Sequence, residues 1–207
     1  GYNLGLAARR IDKLELLARE LEDKYQVQVA VTALDVQQDA DIAPALSRLA
    51  QELGQVDIVV ANAGVAGVRR SGSGNIELDK TIFQTNVIGA IATLDAATKM
   101  FLAQGHGHLV GMSSFSAFSP LPASAAYSAS KAALTNYMNA MRLELMSKKI
   151  NVTVIHPGFI KTDIAPHMDK YPFVIEADVA AQQMIRAIEA NKANVIVPNM
   201  PWKAAKG

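Results

Sequence analysis

At 207 residues, 50% hydrophobic and 19% charged with a formal net charge of +1, the chain has the make-up of one globular domain and no global field that would favour nucleic acid or an anionic membrane. Without cysteine there is no disulfide framework and no thiolate metal site, and the four histidines form no metal-ligand set; the "HGH" at 106–108 suits a strand entry. The longest uncharged stretch, Leu109 to Ser130, is broken by prolines and rich in serine, so no membrane span is expected, and with no targeting pattern visible the expected location is cytoplasmic.

The opening "NLGLAA" reads as a strand, and Ile11, Leu14, Leu17, Ala18 and Leu21 then recur at helical spacing with charged residues between them. "VQVAVTALDV" predicts a strand, followed by a helix over about 40–54 whose stripe is Ile42, Leu46, Leu49 and Leu53. "VDIVVANAG" is an apolar strand closing on glycine, and a Gly/Ser-rich loop at 71–75 leads to a long helix near 79–104. "GHLVGMSS" is the next strand, the segment 125–148 the longest helix, and "INVTVIHPG" a further strand. A loop to about Pro172, a helix at 177–191 and the short strand "NVIVP" complete the pattern. Strands and helices alternate with no hairpin signal, which predicts a doubly wound α/β domain: one parallel sheet with helices on both faces.

In such sheets ligands sit beyond the carboxyl ends of the strands. The residues found there are Ala8-Arg9-Arg10, Asp35-Val36, Asn62-Ala63-Gly64, Ser113-Ser114 and His156-Pro157-Gly158, small or polar where the strands are apolar. Tyr127 and Lys131 in "YSASK" lie four apart and share a helix face. An ammonium beside a phenol favours the phenolate and lowers a pKa ordinarily near 10, making the tyrosine a usable acid/base near neutrality. Packing on a helix surface is the alternative for that pair alone. Ser114, thirteen positions earlier at a strand end, adds a hydroxyl able to hold a substrate oxygen beside the phenol, although it also reads as a loop serine. Asn86, a poor helix former among apolar neighbours, needs partners either as a satisfied core amide or as the organiser of a site water.

Taken in order, "NAG", "TNVIG", "SS" followed by "YSASK", and "HPGFIKTD" resemble the short-chain dehydrogenase/reductase family over nearly the whole chain. The resemblance implies a Rossmann-type fold, a nicotinamide cofactor and hydride transfer to or from a carbonyl or alcohol carbon. It implies Tyr127 as general acid/base, Lys131 lowering its pKa and binding the nicotinamide ribose, Ser114 holding the substrate oxygen, and Asn86 anchoring a relay water. By the same likeness Asn62, Ala63 and Gly64 lie beside the adenosine, Asp35 with Val36 binds the adenine, and Pro157, Gly158, Ile160 and Thr162 frame the nicotinamide. The likeness also implies pairing of the two long helices in a homodimer or homotetramer; covering the sheet is their plainer role.

Charge argues the choice of cofactor. A carboxylate at the end of the second strand suits the ribose of NAD, whereas a 2′-phosphate calls for arginine. "NLGLAA" ends in Arg9-Arg10 with no carboxylate before Asp12, so NADP(H) is expected ahead of NAD(H), with Arg9 the better candidate and Arg10 a second clamp or a solvated helix-start residue. The family's first strand and glycine-rich loop have no counterpart here, "GSGN" at 72–75 being wrongly placed, so about thirty preceding residues are expected to supply them between "NLGLAA" and "VDIVVA". The C-terminal "PWKAAKG" likewise stops without a clear end. Phe115, Phe118, Leu121, Phe159, Met168 and Phe173 are the candidate walls of a pocket for a small, apolar carbonyl or alcohol, or else a loop mini-core, and 163–173 is a candidate lid. Two other functions fit the fold: a non-catalytic cofactor sensor or scaffold, and epimerisation or dehydration.

Overall fold

The computed structural model describes residues 1–74, 76–162, 171 and 173–199. Met168, most of the candidate lid and "PWKAAKG" lie outside them. In chain order the elements are β1 (Leu4–Ala8), α1 (Ile11–Tyr25), β2 (Val29–Ala33), α2 (Asp39–Leu53) and β3 (Ile58–Ala61). The continuous helical stretch that follows is α3 (Glu77–Phe83), a π-helical segment Gln84–Gly89, and α4 (Ala90–Gln104). After β4 (Gly107–Met112) come a 3₁₀ turn Phe115–Ala117, α5 (Ala125–Glu144), β5 (Ile150–Pro157), β6 (Ile160–Lys161), β7 (Ile175–Glu176), α6 (Ala177–Glu189) and β8 (Asn194–Val197).

Every ladder is parallel, as apolar strands joined by helices require. The strands fall into the order β3-β4-β5-β8, a separate pair β1-β2, and the short pair β6-β7 that the sequence reading did not foresee. Alternate residues of β4 and β5 point to opposite faces. Leu109 and Val154 enter a core with Leu94, Phe101, Leu134 and Met138 from α4 and α5, whereas Val110 and Ile155 pack with Ala180 of α6. Helices therefore cover both faces of this sheet. The approach is close: a Cβ on Gly111 would collide with the Met138 side chain. By length and composition alone the stretch Glu77–Gln104 could cross a membrane. Here Leu94, Ala97 and Phe101 on it are fully buried against the sheet.

The β1-β2 pair is joined to this body through α2. Leu46 of α2 packs both into the main core and into a small cluster of Leu34, Ile42 and Ala45 with Ala92 and Ala96 of α4. Among the described residues β1 pairs only with β2 and β3 only with β4. Gly5, Ala7 and Ala8 of β1 are exposed, and Val60 in the middle of β3 is 44% exposed. Leu17, expected inside the stripe of α1, is exposed together with Leu16, since α1 has a packed partner on only one side and Ala18 alone is buried.

Candidate active site

The carboxyl end of β4 and the first two turns of α5 bring three predicted side chains together. Ser114 extends from β4 into the 3₁₀ turn, where its Oγ accepts from the Ser116 amide at 3.2 Å and from the Ser116 hydroxyl at 2.9 Å. The Tyr127 phenol lies near enough to the Ser114 side chain for that hydroxyl to draw its pKa down. Lys131, one helical turn on, is buried; its Nζ donates to the Met112 carbonyl at 2.7 Å and stands 5.8 Å from the centre of the Tyr127 ring.

The electrostatics differ from the expectation. Burial pushes the Tyr127 phenol above its ordinary value, and the Ser114 hydroxyl pulls it only partly back; Lys131 is not among the groups that lower it. Lys131 itself is brought down to about 8 by burial. The physical reason is geometric: the ammonium is spent on a carbonyl at the strand end, and removal from water disfavours both charged forms.

Asn86 is fully buried in the π-helical segment. Its Nδ2 donates to the Val65 carbonyl at 2.9 Å and to Ser130 Oγ at 3.1 Å, and its Oδ1 accepts from the Val65 amide at 2.8 Å. Ser130 in turn donates to the Tyr127 carbonyl at 2.7 Å. The carboxamide thus ties the loop after β3 to the helix carrying Tyr127. Sequence reasoning singled out Asn86 but missed the π segment and the partners Val65 and Ser130; the available signal was the serine next to Lys131.

Gly64 follows Asn62 and Ala63, both exposed beyond β3. A Cβ on Gly64 would lie 3.4 Å from Lys131 Nζ and 3.5 Å from Asn86 Oδ1. Farther along the sheet edge, Asp35 Oδ1 accepts from the Gln37 amide at 3.0 Å, closing its own loop. That loop leans on the π segment: Gln37 Nε2 donates to Thr85 Oγ1 at 3.0 Å, and a Cβ on Gly89 would come within 2.6 Å of the Val36 carbonyl. Arg9 and Arg10 follow β1, fully outside the core, and neither has a side-chain partner among the described residues. Gly158 is anchored by its amide to the Val197 carbonyl at 2.8 Å, Ile160 pairs with Ile175, and Thr162 is exposed.

The candidate pocket walls divide. Phe115 is buried and meets Phe118 edge-on at 6.4 Å, and Phe118 lies 4.7 Å from the buried His156 ring, so these two form a mini-core. Phe159 stacks on Tyr171 at 4.4 Å, while Leu121 and Phe173 are exposed. Across the cleft the loop after β3 is fixed by an Arg69–Asp79 ion pair, with Arg69 also donating to Ser73 Oγ at 3.0 Å and, through its amide, to the Ala123 carbonyl at 2.9 Å. Among the described residues no group of His, Asp and Glu side chains could hold a metal.

The sequence profile of the short chain dehydrogenase family matches residues 1–171. The chain is 36% identical over 206 residues to an uncharacterized oxidoreductase of Myxococcus xanthus, covering 99% of this chain and 80% of that protein. Its fold is similar to a short chain dehydrogenase/reductase of Burkholderia phymatum solved in complex with NAD (TM-score 0.90, 18% identity, 100% of this chain and 83% of that one). It is also similar to an alcohol dehydrogenase of Thermococcus sibiricus complexed with 5-hydroxy-NADP (TM-score 0.84, 23% identity, 95% and 85%). The chain accordingly belongs to the short-chain dehydrogenase/reductase family, whose members are oxidoreductases that bind NAD(P).

Proposed function

We propose that this protein transfers a hydride between NADP(H) and the carbonyl or alcohol carbon of a small, apolar molecule. The observation that carries the reading is the meeting of three side chains at the end of β4: Ser114 beside the Tyr127 phenol, and Lys131 one turn along the same helix with its Nζ 5.8 Å from the Tyr127 ring centre. The residues present fit a nicotinamide cofactor. Gly64 leaves open the space beside Lys131 Nζ and Asn86 that a Cβ would fill, and Asn62 and Ala63 offer exposed backbone next to it. Asp35 and Val36 would hold the adenine end, and Pro157, Gly158, Ile160 and Thr162 the nicotinamide end. When bound, the cofactor supplies or accepts the hydride.

The chain's own residues do the rest. A substrate oxygen lying between Ser114 Oγ and the Tyr127 hydroxyl accepts a hydrogen bond from each, and in reduction the phenol gives up its proton to that oxygen. Lys131 stays cationic below about pH 8, so it offers donors to the ribose. Because both Asn86 amide hydrogens are taken by Val65 and Ser130, the donors for a relay water do not come from its side chain, and the backbone of the π segment, where helical hydrogen bonding is displaced, would help hold it.

Arg9 and Arg10, exposed and uncommitted, would receive the 2′-phosphate of NADP. The edges of β1 and β3, unpaired among the described residues, would take a further parallel strand with its glycine-rich turn, within one dinucleotide-binding domain. Exposed Ile88, Leu102 and Leu143 on the two long helices support a homodimer or homotetramer, for sizing chromatography to check; the proposed setting is the cytoplasm. The central test is a panel of aldehydes, ketones and quinones with NADPH, followed at the nicotinamide absorbance. Turnover is expected, with Tyr127→Phe lowering it by about 10²–10⁴-fold. Tight NADPH binding without turnover of any member would instead make the protein a cofactor sensor.

A further inference from the structure

Immediately before Ser114, the Ser113 amide continues the β4–β5 ladder by donating to the Ile155 carbonyl at 2.8 Å. Its side chain, 3% exposed, leaves the strand and reaches α5. Ser113 Oγ lies 2.7 Å from Thr135 Oγ1 and donates to the Lys131 carbonyl at 3.0 Å, and Thr135 Oγ1 reaches the same carbonyl at 2.8 Å. Thr135 would be satisfied by its own helix without Ser113, since a threonine hydroxyl readily bonds the carbonyl four residues back. Ser113 has no such local alternative. The contact is therefore a cross-link between a strand end and a helix, made at the backbone of Lys131.

Lys131 is consequently held at both ends by consecutive residues: its carbonyl by Ser113 and its ammonium by the Met112 carbonyl. The next residue along the chain is Ser114. A shift of α5 along or about its axis would break both bonds and carry Tyr127 away from Ser114, one turn earlier on the same rigid helix. We propose that Ser113 and Thr135 are a positioning pair that sets α5 against the end of β4 and thereby fixes the Ser114–Tyr127–Lys131 geometry. The proposal rests on the reading of those three as the catalytic set.

The test uses Ser113→Ala, Thr135→Val, the double variant, Ser113→Thr and Tyr127→Phe in the full chain. Ultraviolet titration of phenolate, with Tyr127→Phe as the subtraction reference, isolates Tyr127 from the other tyrosines and needs no cofactor. Burial raises the Tyr127 pKa and Ser114 lowers it, so loosening the pair while Tyr127 stays buried is expected to move its titration upward, most in the double variant. With NADPH and the best-reduced carbonyl of the panel, kcat should fall roughly tenfold while NADPH affinity stays within about threefold, the scale of a small misplacement of reacting groups. Ser113→Thr, which keeps the hydroxyl, should restore both. Should the double variant fail to fold, the single variants decide, with smaller shifts of the same sign. An unmoved Tyr127 titration in folded variants overturns the pair, as does unchanged kcat in a background where Tyr127→Phe is inactive. Full activity of Tyr127→Phe overturns the catalytic reading, and the pair's role with it.

Discussion

The four-stranded and two-stranded sheets treat their candidate functional side chains in opposite ways. Around β4 and β5, Ser114, Lys131 and Asn86 are buried and each is bonded to the protein, on a sheet whose two faces are covered by α4, α5 and α6. Around β1 and β2, Arg9 and Arg10 stand in solvent, three of the five residues of β1 are exposed, and α1 turns Leu16 and Leu17 outward. The proposed chemistry falls in the half that is preorganised and the proposed grip on the phosphate in the half that is not. Ground-state rigidity is useful where atoms must react, because it costs no reorganisation at that moment. A charged clamp tolerates a looser frame.

The largest test of this contrast is a core truncation. Phe101→Ala removes a fully buried ring from the main core and should cost about 3–5 kcal/mol in denaturant unfolding, whereas a loss below 1 kcal/mol would mean that half is no tighter than the other. Next comes the buried lysine. Below about pH 8 Lys131 is charged whether the chain is folded or unfolded. Between there and its ordinary value near 10.4 the unfolded chain holds the extra proton, so stability should climb with pH by on the order of 3 kcal/mol. Lys131→Met should abolish that climb; urea midpoints at several pH values, compared between the two proteins, decide it. A parallel pH response in both proteins would show that Lys131 is not desolvated.

Smaller effects belong to the open half. Arg9→Ala should weaken NADPH binding by about 10–100-fold, the range for a lost charge-assisted bond, and leave NADH within about twofold. Equal weakening of both cofactors would remove the 2′-phosphate assignment. Leu17→Ala, at a position that periodicity places in the core, should change stability by about 0.5 kcal/mol or less. A core-sized loss there would show that α1 is covered after all.

Periodicity was sufficient for β3, β4, β5 and β8 and for the helices that cover them because their apolar repeats report burial directly. It failed at Leu17 because a pattern records which face is apolar and says nothing of whether a neighbour arrives to cover it. The π segment escaped for a related reason: one extra residue in a turn leaves the apolar repeat almost intact, and only the misplaced Asn86 betrayed it. The Tyr127–Lys131 spacing gave proximity correctly and electrostatics wrongly, since the pKa depends on burial and on where the ammonium points. Ser113 and Thr135 were ordinary polar residues in the sequence; their meeting depends on the packing of α5 against β4, which no local pattern encodes.

Asn86 has one more implication. By receiving the Val65 amide and donating to the Val65 carbonyl, its carboxamide does for that residue what a neighbouring peptide does inside a ladder. A single side chain acts as a surrogate strand, prolonging the order of β3 past Ala61 without any further backbone beside it. Asn86→Asp would exchange the two donors for acceptors, set the Val65 carbonyl against negative charge and strip Ser130 of its donor. The loop after β3 would then come loose at Val65, a residue that belongs to no helix or strand.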